Sequence, residues 1–206
     1  MNFPLNFARP VMQYQVKWVM STEEEEEKSI AKEEIDENAQ NNSKTTSRLS
    51  WARASHGALV AMRVLSNVTA NSGLETSLLN LIDIRVSQVN GCAECIDLHS
   101  KNARLAGETE RRIYGLSAWR DSPFYTAKER AALAWAEAVT LVAETHVPDD
   151  VYEEARKYFS EREIVNLTLA VIAINAWNRM NISFRIMPDS YVPREVRVIR
   201  GKDSLS

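Results

Sequence analysis

The arrangement of apolar and polar positions after Leu49 is that of an all-α protein. Apolar residues recur three and four positions apart, which is the spacing of one helical face, and Gly and Pro stand between these segments rather than inside them. The chain therefore predicts a single-domain helical bundle. The expected helices cover about residues 50–71, 75–89, 92–106, 109–119, 126–144 and 148–159, followed by a strongly apolar helix that starts at Ser160 and continues through Trp177.

Local signals mark where several of these helices begin and end. The Asn90-Gly91 pair separates the second and third helices, and Gly107 suits the C-terminal cap of the third, where a left-handed residue is favoured. Two helices open on the capping-box pattern, in which a hydroxyl residue is followed three positions later by glutamate. These boxes are Thr126 with Glu129 and Ser160 with Glu163. We expect the helix after Ser160 to be central to the core.

The two ends of the chain lack this periodicity. Residues 23–47 consist mostly of Glu, Asn, Lys, Ser and Thr, so they bury too few apolar side chains to offset the entropy of ordering. We predict an N-terminal extension over 1–47 that is disordered, and acidic from residue 23. A helical domain is expected over 48–186, and a C-terminal arm over 187–206.

Composition and charge exclude several classes of protein. The formal net charge of −3 comes from the acidic segment, because the rest of the chain is close to neutral with both signs interspersed. There is no basic stripe for nucleic acid, and no apolar run reaches the roughly 18 residues that a membrane span requires. Two cysteines three positions apart are too few and too close for a secreted disulfide framework. We therefore expect a cytoplasmic protein that binds neither nucleic acid nor membrane.

Three side chains with redox and acid–base chemistry lie on the third predicted helix. Cys92, Cys95 and His99 project at about 0°, −60° and −20° around an α-helix, so they share one face. The Asn90-Gly91 break places Cys92 in the first turn, where unpaired amides and the helix dipole lower the pKa of a thiol. His99 can accept a thiol proton or stabilise the resulting thiolate.

A thiolate beside a second thiol can act as a redox pair. It can attack the O–O bond of a peroxide to give a sulfenic acid, which the neighbouring cysteine condenses to a disulfide, and an external reductant then restores both thiols. The competing interpretations are inert buried cysteines and a structural zinc site. Zinc needs four ligands, and only His56 and His146 remain as further histidines, without a second C-x-x-C. We therefore expect no bound metal and no bound cofactor.

Further motifs follow the cysteine pair in a recognisable order. Residues 48–186 contain the C-x-x-C-x-x-x-H cluster, then the segment ERAALAW, then the segment INAWNR. In this order they resemble the AhpD-like alkylhydroperoxidases of the carboxymuconolactone decarboxylase superfamily. The resemblance implies an all-helical fold that forms homo-oligomers. It also implies a thiol-dependent hydroperoxide reductase, or dithiol-disulfide oxidoreductase, that is recharged by a lipoyl or thioredoxin-like dithiol.

The resemblance also implies a role for each member of the cluster. Cys95 corresponds to the peroxidatic thiol, Cys92 to the resolving thiol that meets the reductant, and His99 to the proton relay. The family pattern has a glutamate twelve residues before the first cysteine as the terminal proton acceptor, whereas this chain has Asn80. An amide cannot take the proton, so another group must replace the glutamate.

The sequence leaves the identity of that group open. Asp83, one turn after Asn80 on the same predicted helix, can serve if it faces the cysteines, although a solvent-exposed helix charge is the simpler interpretation. A water molecule, Glu129 or Glu137 are further options. Because losing one relay member costs about 10² to 10⁴ in rate where proton transfer is limiting, we expect weak peroxidase activity.

Two other interpretations of the function stay open. A lactone decarboxylase of the same superfamily would abstract a proton and needs no cysteine pair, so the C-x-x-C motif disfavours it. A non-catalytic, redox-sensing oligomer is consistent with Asn80 and with the acidic extension. In the INAWNR segment, Asn175 and Asn178 must find partners if they are buried, and one of them could orient His99 or a bound water.

Overall fold

The structure is a computed structural model that describes residues 47–188 and 191–193. All regular structure in this part of the chain is helical, which confirms the all-α prediction, and none of its helices has the length and hydrophobicity needed to cross a membrane. All of the predicted extension except residue 47, and most of the predicted arm, lie outside the described residues. The helices are α1 (Trp51–Ala54), α2 (His56–Ala70), α3 (Thr76–Asn90), α4 (Ala93–Leu105), α5 (Glu110–Gly115), a 3₁₀ turn (Leu116–Ala118), α6 (Ala127–Thr140), α7 (Val142–Thr145), α8 (Asp149–Arg156) and α9 (Glu161–Phe184).

Two of the predicted helices are interrupted. The first breaks at Ser55, whose backbone is extended and whose hydroxyl caps α2 by accepting from the backbone N–H of Ala58. The helix predicted over 126–144 breaks at Leu141, which separates α6 from α7. Neither break falls at Gly or Pro. The spacing of apolar residues continues across both positions, so the sequence gives no sign of either break.

The predicted helix caps are confirmed. Thr126 with Glu129 and Ser160 with Glu163 both form the reciprocal pair of side chain to backbone hydrogen bonds that defines a capping box. Gly107 has a φ of 94°, the left-handed conformation expected just after the end of α4.

Helix α3 lies at the centre of the core. Leu81, Ile82 and Ile84 are fully buried although successive positions point in different directions, so α3 is covered on more than one side. It packs against α4, α6 and α9. The expectation that the last helix is central is only partly right, because α9 buries one face and exposes Val165 and Ile172 on another.

A tight turn joins α3 to α4 and sets the start of the cysteine helix. Gly91 ends α3 with a φ of 72°, and the backbone N–H of Cys92 donates to the carbonyl of Ser87 over 2.9 Å. This is the six-to-one hydrogen bond of a glycine-terminated helix. Cys92 is therefore the N-cap of α4 rather than a member of its first turn, because the helix begins at Ala93.

Substituting Gly91 tests how strongly the fold depends on this turn. An added Cβ at Gly91 would meet no atom within 4 Å, so Gly91→Ala acts through backbone conformation alone. We expect it to lower the free energy of unfolding by about 1 kcal/mol, because alanine in the left-handed region costs about 1–2 kcal/mol and loses less entropy on folding than glycine.

Gly57 in α2 is the matched control, since a Cβ there also meets nothing within 4 Å and its φ is not in the left-handed region. Gly57→Ala should be neutral or stabilise the protein by up to about 1 kcal/mol. Urea unfolding of the two variants measures the contrast. Equal changes in both would show that the left-handed turn is not the constraint.

Candidate active site

The two cysteines form a pair of thiols in direct contact. Cys92 Sγ and Cys95 Sγ are 2.7 Å apart, neither is in a disulfide, and the residues are only 2% and 3% exposed. The contact arises because Cys92 is the N-cap of α4 and Cys95 occupies the third position of that helix. One thiol therefore donates a hydrogen bond to the other inside the core.

This contact shifts the pKa values of the two thiols in opposite directions. Donation from Cys95 lowers the pKa of Cys92, with further help from the backbone N–H of Cys95, against the opposing effect of burial. The same hydrogen bond, together with burial, raises the pKa of Cys95. The pair thus loses its first proton as a unit, and the resulting anion lies mainly on Cys92 with Cys95 as the donor.

His99 and Asp83 form a second pair beside the thiols. Asp83 Oδ2 on α3 lies 3.3 Å from His99 Nδ1 on α4, and the two side chains are only 24% and 20% exposed. Burial lowers the pKa of His99 to about 4. Burial, followed by a smaller electrostatic contribution from Cys95, raises the pKa of Asp83 to about 8. At neutral pH the imidazole is therefore uncharged and the carboxyl group is mostly protonated.

Asp83 is therefore not the solvent-exposed helix charge that the sequence favoured, because its side chain is mostly buried against His99. The other acids considered from the sequence have partners elsewhere. Glu129 accepts from Arg112 Nη2 over 2.5 Å and closes the α6 capping box. Glu137 accepts from Arg85 Nε over 2.6 Å and from Trp119 Nε1 over 2.7 Å. Of the three acids considered, Asp83 is the one that the structure places against His99.

A network of buried amides links α9 to the turn before the cysteines. Asn90 Nδ2 donates to the side-chain oxygens of Asn175 and Asn178 over 3.0 and 2.8 Å. Asn178 is fully buried and donates to Ser87 Oγ over 3.1 Å, while Asn175 donates to Thr140 Oγ1 over 3.0 Å. The two asparagines thus hold the end of α3 in place. The sequence analysis had instead suggested that one of them orients His99 or a bound water.

Asn181 is a site residue that the sequence analysis missed. Its Nδ2 donates to Cys95 Sγ over 3.3 Å from the last turn of α9. The available signal was the recurrence of asparagine at every third position, because Asn175, Asn178 and Asn181 follow one side of the helix. This donor favours the anionic form of Cys95, against the larger opposing effects of Cys92 and of burial on the pKa.

The remaining predicted candidates do not join this cluster. His56 and His146 are both exposed, the first at the start of α2 and the second just after α7. Among residues 47–188 and 191–193, no three His, Cys, Asp or Glu side chains are grouped so that they could hold a metal ion.

Comparisons with known proteins show the family to which the chain is related. The model of the carboxymuconolactone decarboxylase family matches residues 58–138. The uncharacterized protein YdfG of Bacillus subtilis is 41% identical over 136 residues, which are 66% of this chain and 92% of YdfG. A protein of unknown function from Agrobacterium tumefaciens, regarded as a candidate antioxidant defence protein AhpD, is 46% identical, with a TM-score of 0.67 over 73% of this chain and all of that one.

A more distant structure shares the fold alone. A peroxidase-related protein from Ralstonia eutropha with an alkylhydroperoxidase AhpD core is 16% identical, with a TM-score of 0.61 over 68% of this chain and 75% of that chain.

The raised pKa of Asp83 predicts a pH-dependent stability. The folded protein holds a proton on Asp83 up to about pH 8, whereas the unfolded chain releases it near the ordinary aspartate pKa of 3.8. This contribution to stability is present below pH 4 and is lost as the pH rises towards 8. Relative to Asp83→Asn, which does not titrate, the wild type should lose up to about 1.4 kcal/mol per pH unit in this range.

Urea unfolding between pH 5 and 8 measures this difference. Asn80→Ala is the matched control on α3, because it removes a half-buried side chain without removing a titrating group. It should therefore keep the pH dependence of the wild type. The same pH dependence in Asp83→Asn would show that the carboxyl group is not protonated in the folded state.

Proposed function

The chain is an AhpD-like member of the carboxymuconolactone decarboxylase superfamily, and from this premise we propose that it is a thiol-dependent hydroperoxide reductase. In this proposal Cys95 attacks the hydroperoxide, Cys92 resolves the intermediate, and His99 with Asp83 moves the proton. The observation that carries the proposal is the contact of two reduced thiols at 2.7 Å beside the His99–Asp83 pair.

The reaction consists of two displacements at sulphur. The Cys95 thiolate attacks one oxygen of the hydroperoxide, so that an S–O bond forms, the O–O bond breaks and the departing alkoxide takes a proton to become an alcohol. Cys92 then attacks the sulphur of the Cys95 sulfenic acid. An S–S bond forms, the S–O bond breaks and the hydroxide that leaves takes a proton to become water. The 2.7 Å separation of the sulphurs lets the second step proceed without unfolding the helix.

The His99–Asp83 pair supplies and stores the proton in this proposal. With Nδ1 directed at Asp83, the Nε2 atom of His99 is the nitrogen left to exchange a proton with Cys95, one helical turn earlier. In molecules whose Asp83 carboxyl group is ionised, the thiol proton moves to the pair as the thiolate forms, and it returns to the alkoxide as the alkoxide leaves. A carboxyl group whose pKa is about 8 suits both transfers near neutral pH, because neither the loss nor the gain of its proton is strongly unfavourable at that pH.

The product disulfide needs an external dithiol, which supplies two electrons and two protons. Both cysteines are almost fully buried in the single chain. A reductant must place its sulphur in line with the disulfide, so a slender dithiol such as a lipoyl arm suits this site better than a broad protein surface. A thioredoxin-like protein is the second class of reductant in the proposal.

Self-association is also part of the proposal, as the family resemblance implies. Helix α2 exposes Val60, Val64 and Val68, which recur every four residues along one face. Helix α9 packs against α2 and exposes Val165 and Ile172. An apolar surface of this kind is typical of a protein–protein interface, so it supports a homo-oligomer.

Serine variants of the two cysteines should fail in different ways. Cys95→Ser removes the attacking sulphur, so consumption of cumene hydroperoxide in the presence of a dithiol should fall to background. Cys92→Ser keeps the attack but prevents the disulfide, so one equivalent of sulfenic acid should form at Cys95 while turnover slows. Peroxide assays and mass mapping after dimedone trapping measure both. Equal activity in the two variants, or activity without either cysteine, would contradict the proposal.

Removing either member of the proton relay should slow the first displacement. We expect His99→Gln and Asp83→Asn to lower the rate of sulfenic acid formation at pH 7 by about 10² to 10⁴, the usual contribution of general acid–base catalysis. The ratio of wild-type to Asp83→Asn rate should rise with pH through about 8, where Asp83 is half ionised, and level off only well above that pH, where Asp83 is fully ionised as a proton acceptor.

His56→Gln provides the matched control, since this exposed histidine on α2 lies outside the cluster. Stopped-flow measurement of the first turnover separates this step from re-reduction. A rate for His99→Gln that equals the rate for His56→Gln would remove His99 from the mechanism.

A further inference from the structure

We propose that Asn181 is a catalytic residue that stabilises negative charge on Cys95, the sulphur that attacks. The inference rests on the proposed hydroperoxide reductase. Asn181 Nδ2 donates to Cys95 Sγ over 3.3 Å, and this sulphur is the atom on which the S–O bond would form. Its hydrogen bond stabilises a thiolate at Cys95 and thereby opposes the preference of the pair for a thiolate at Cys92.

The need for such a residue follows from the environment of the pair. Once one proton is lost, the remaining proton can lie between the sulphurs in two ways, with the anion on Cys92 or on Cys95. The N-cap position and the backbone N–H of Cys95 both favour the anion on Cys92. Attack by Cys95 therefore requires a donor that acts on its own sulphur, and the Asn181 carboxamide is in place to do so.

The backbone around Asn181 holds this donor in position. Its carbonyl accepts from the backbone N–H of Ile186 over 2.9 Å, which closes the end of α9. One turn earlier, Asn178 is fully buried and held between Ser87 and Asn90. The end of α9 is thus bonded to the turn from which the cysteine helix starts. These bonds hold the Asn181 amide within hydrogen-bonding distance of Cys95 Sγ.

A hydrogen bond to the attacking thiolate increases the reaction rate despite making the sulphur less nucleophilic. While the thiol pKa is above the ambient pH, the thiolate fraction rises about tenfold for each unit by which the pKa falls. Nucleophilicity falls with a Brønsted coefficient of only about 0.4–0.5, so the net effect on the rate is an increase. The donor remains within reach of the sulphur after the S–O bond forms, when Cys92 attacks it and hydroxide leaves.

The experiment measures the thiolate fraction of each cysteine separately, without any peroxide. In a Cys92→Ser background, the rate of alkylation of Cys95 by iodoacetamide is followed from pH 6 to 11, with and without Asn181→Leu. We expect Asn181→Leu to lower the ratio of thiolate to thiol at Cys95 by about tenfold or more at a fixed pH, the effect of losing one hydrogen bond to a charged group.

Two further variants and a second background separate charge stabilisation from a structural effect. Asn181→Asp keeps the size of the side chain and adds a negative charge, so it should lower the thiolate fraction at least as much. Ser183→Ala is the control, because Ser183 is exposed in the same last turn of α9. It should change nothing. In a Cys95→Ser background, Asn181→Leu should leave the thiolate fraction of Cys92 unchanged.

An unchanged thiolate fraction at Cys95, or an equal change at both cysteines, would overturn the assignment. Consumption of cumene hydroperoxide by the wild type is measured in parallel. Its absence would contradict the proposed function, whereas the alkylation data would still decide whether Asn181 stabilises the Cys95 thiolate.

Discussion

The left-handed turn at Gly91 is the constraint on which the candidate site depends. It reverses the chain between α3 and α4 within two residues, so the two helices run back along each other from a fixed point. The same turn makes Cys92 the N-cap of α4 and gives its sulphur the amide environment of a helix start. The contact between the thiols and the pairing of Asp83 with His99 both follow from this reversal.

Burial then acts on the acid and on the base in opposite directions. It raises the pKa of Asp83 and lowers that of His99, since a low-dielectric environment disfavours the charged form of either group. The pair is neutral overall whether the proton resides on the carboxyl group or is shared as an ion pair. When the ionised pair takes a proton from a neighbouring thiol, the negative charge passes from the carboxylate to the sulphur, so the total charge of the core does not change.

Local sequence patterns predicted the helices, two capping boxes and the shared face of Cys92, Cys95 and His99, because each depends on residues within one or two turns. The breaks at Ser55 and Leu141 were missed, since a polar or apolar residue in a helical pattern does not reveal a change of direction set by packing. The contacts of Asp83 and Asn181 join residues that are far apart in the chain. Their side chains reach the site only because α3, α4 and α9 pack together, which the helical period of one segment does not encode.

The register of the helical hairpin explains why Asp83, rather than the residue at position 80, lies against His99. Asp83 lies eight residues before Gly91 and His99 lies eight residues after it, so the two are equidistant from the turn. In an antiparallel helical hairpin such positions lie at about the same level along the two helix axes. The side chain of an aspartate can then reach across to the facing helix. Position 80 is one turn further from Gly91, about 4.5 Å along the axis, where a carboxylate needs a longer side chain to reach His99. The geometry of the hairpin thus lets the short side chain of Asp83 reach His99 from a position one helical turn nearer to Gly91 than Asn80.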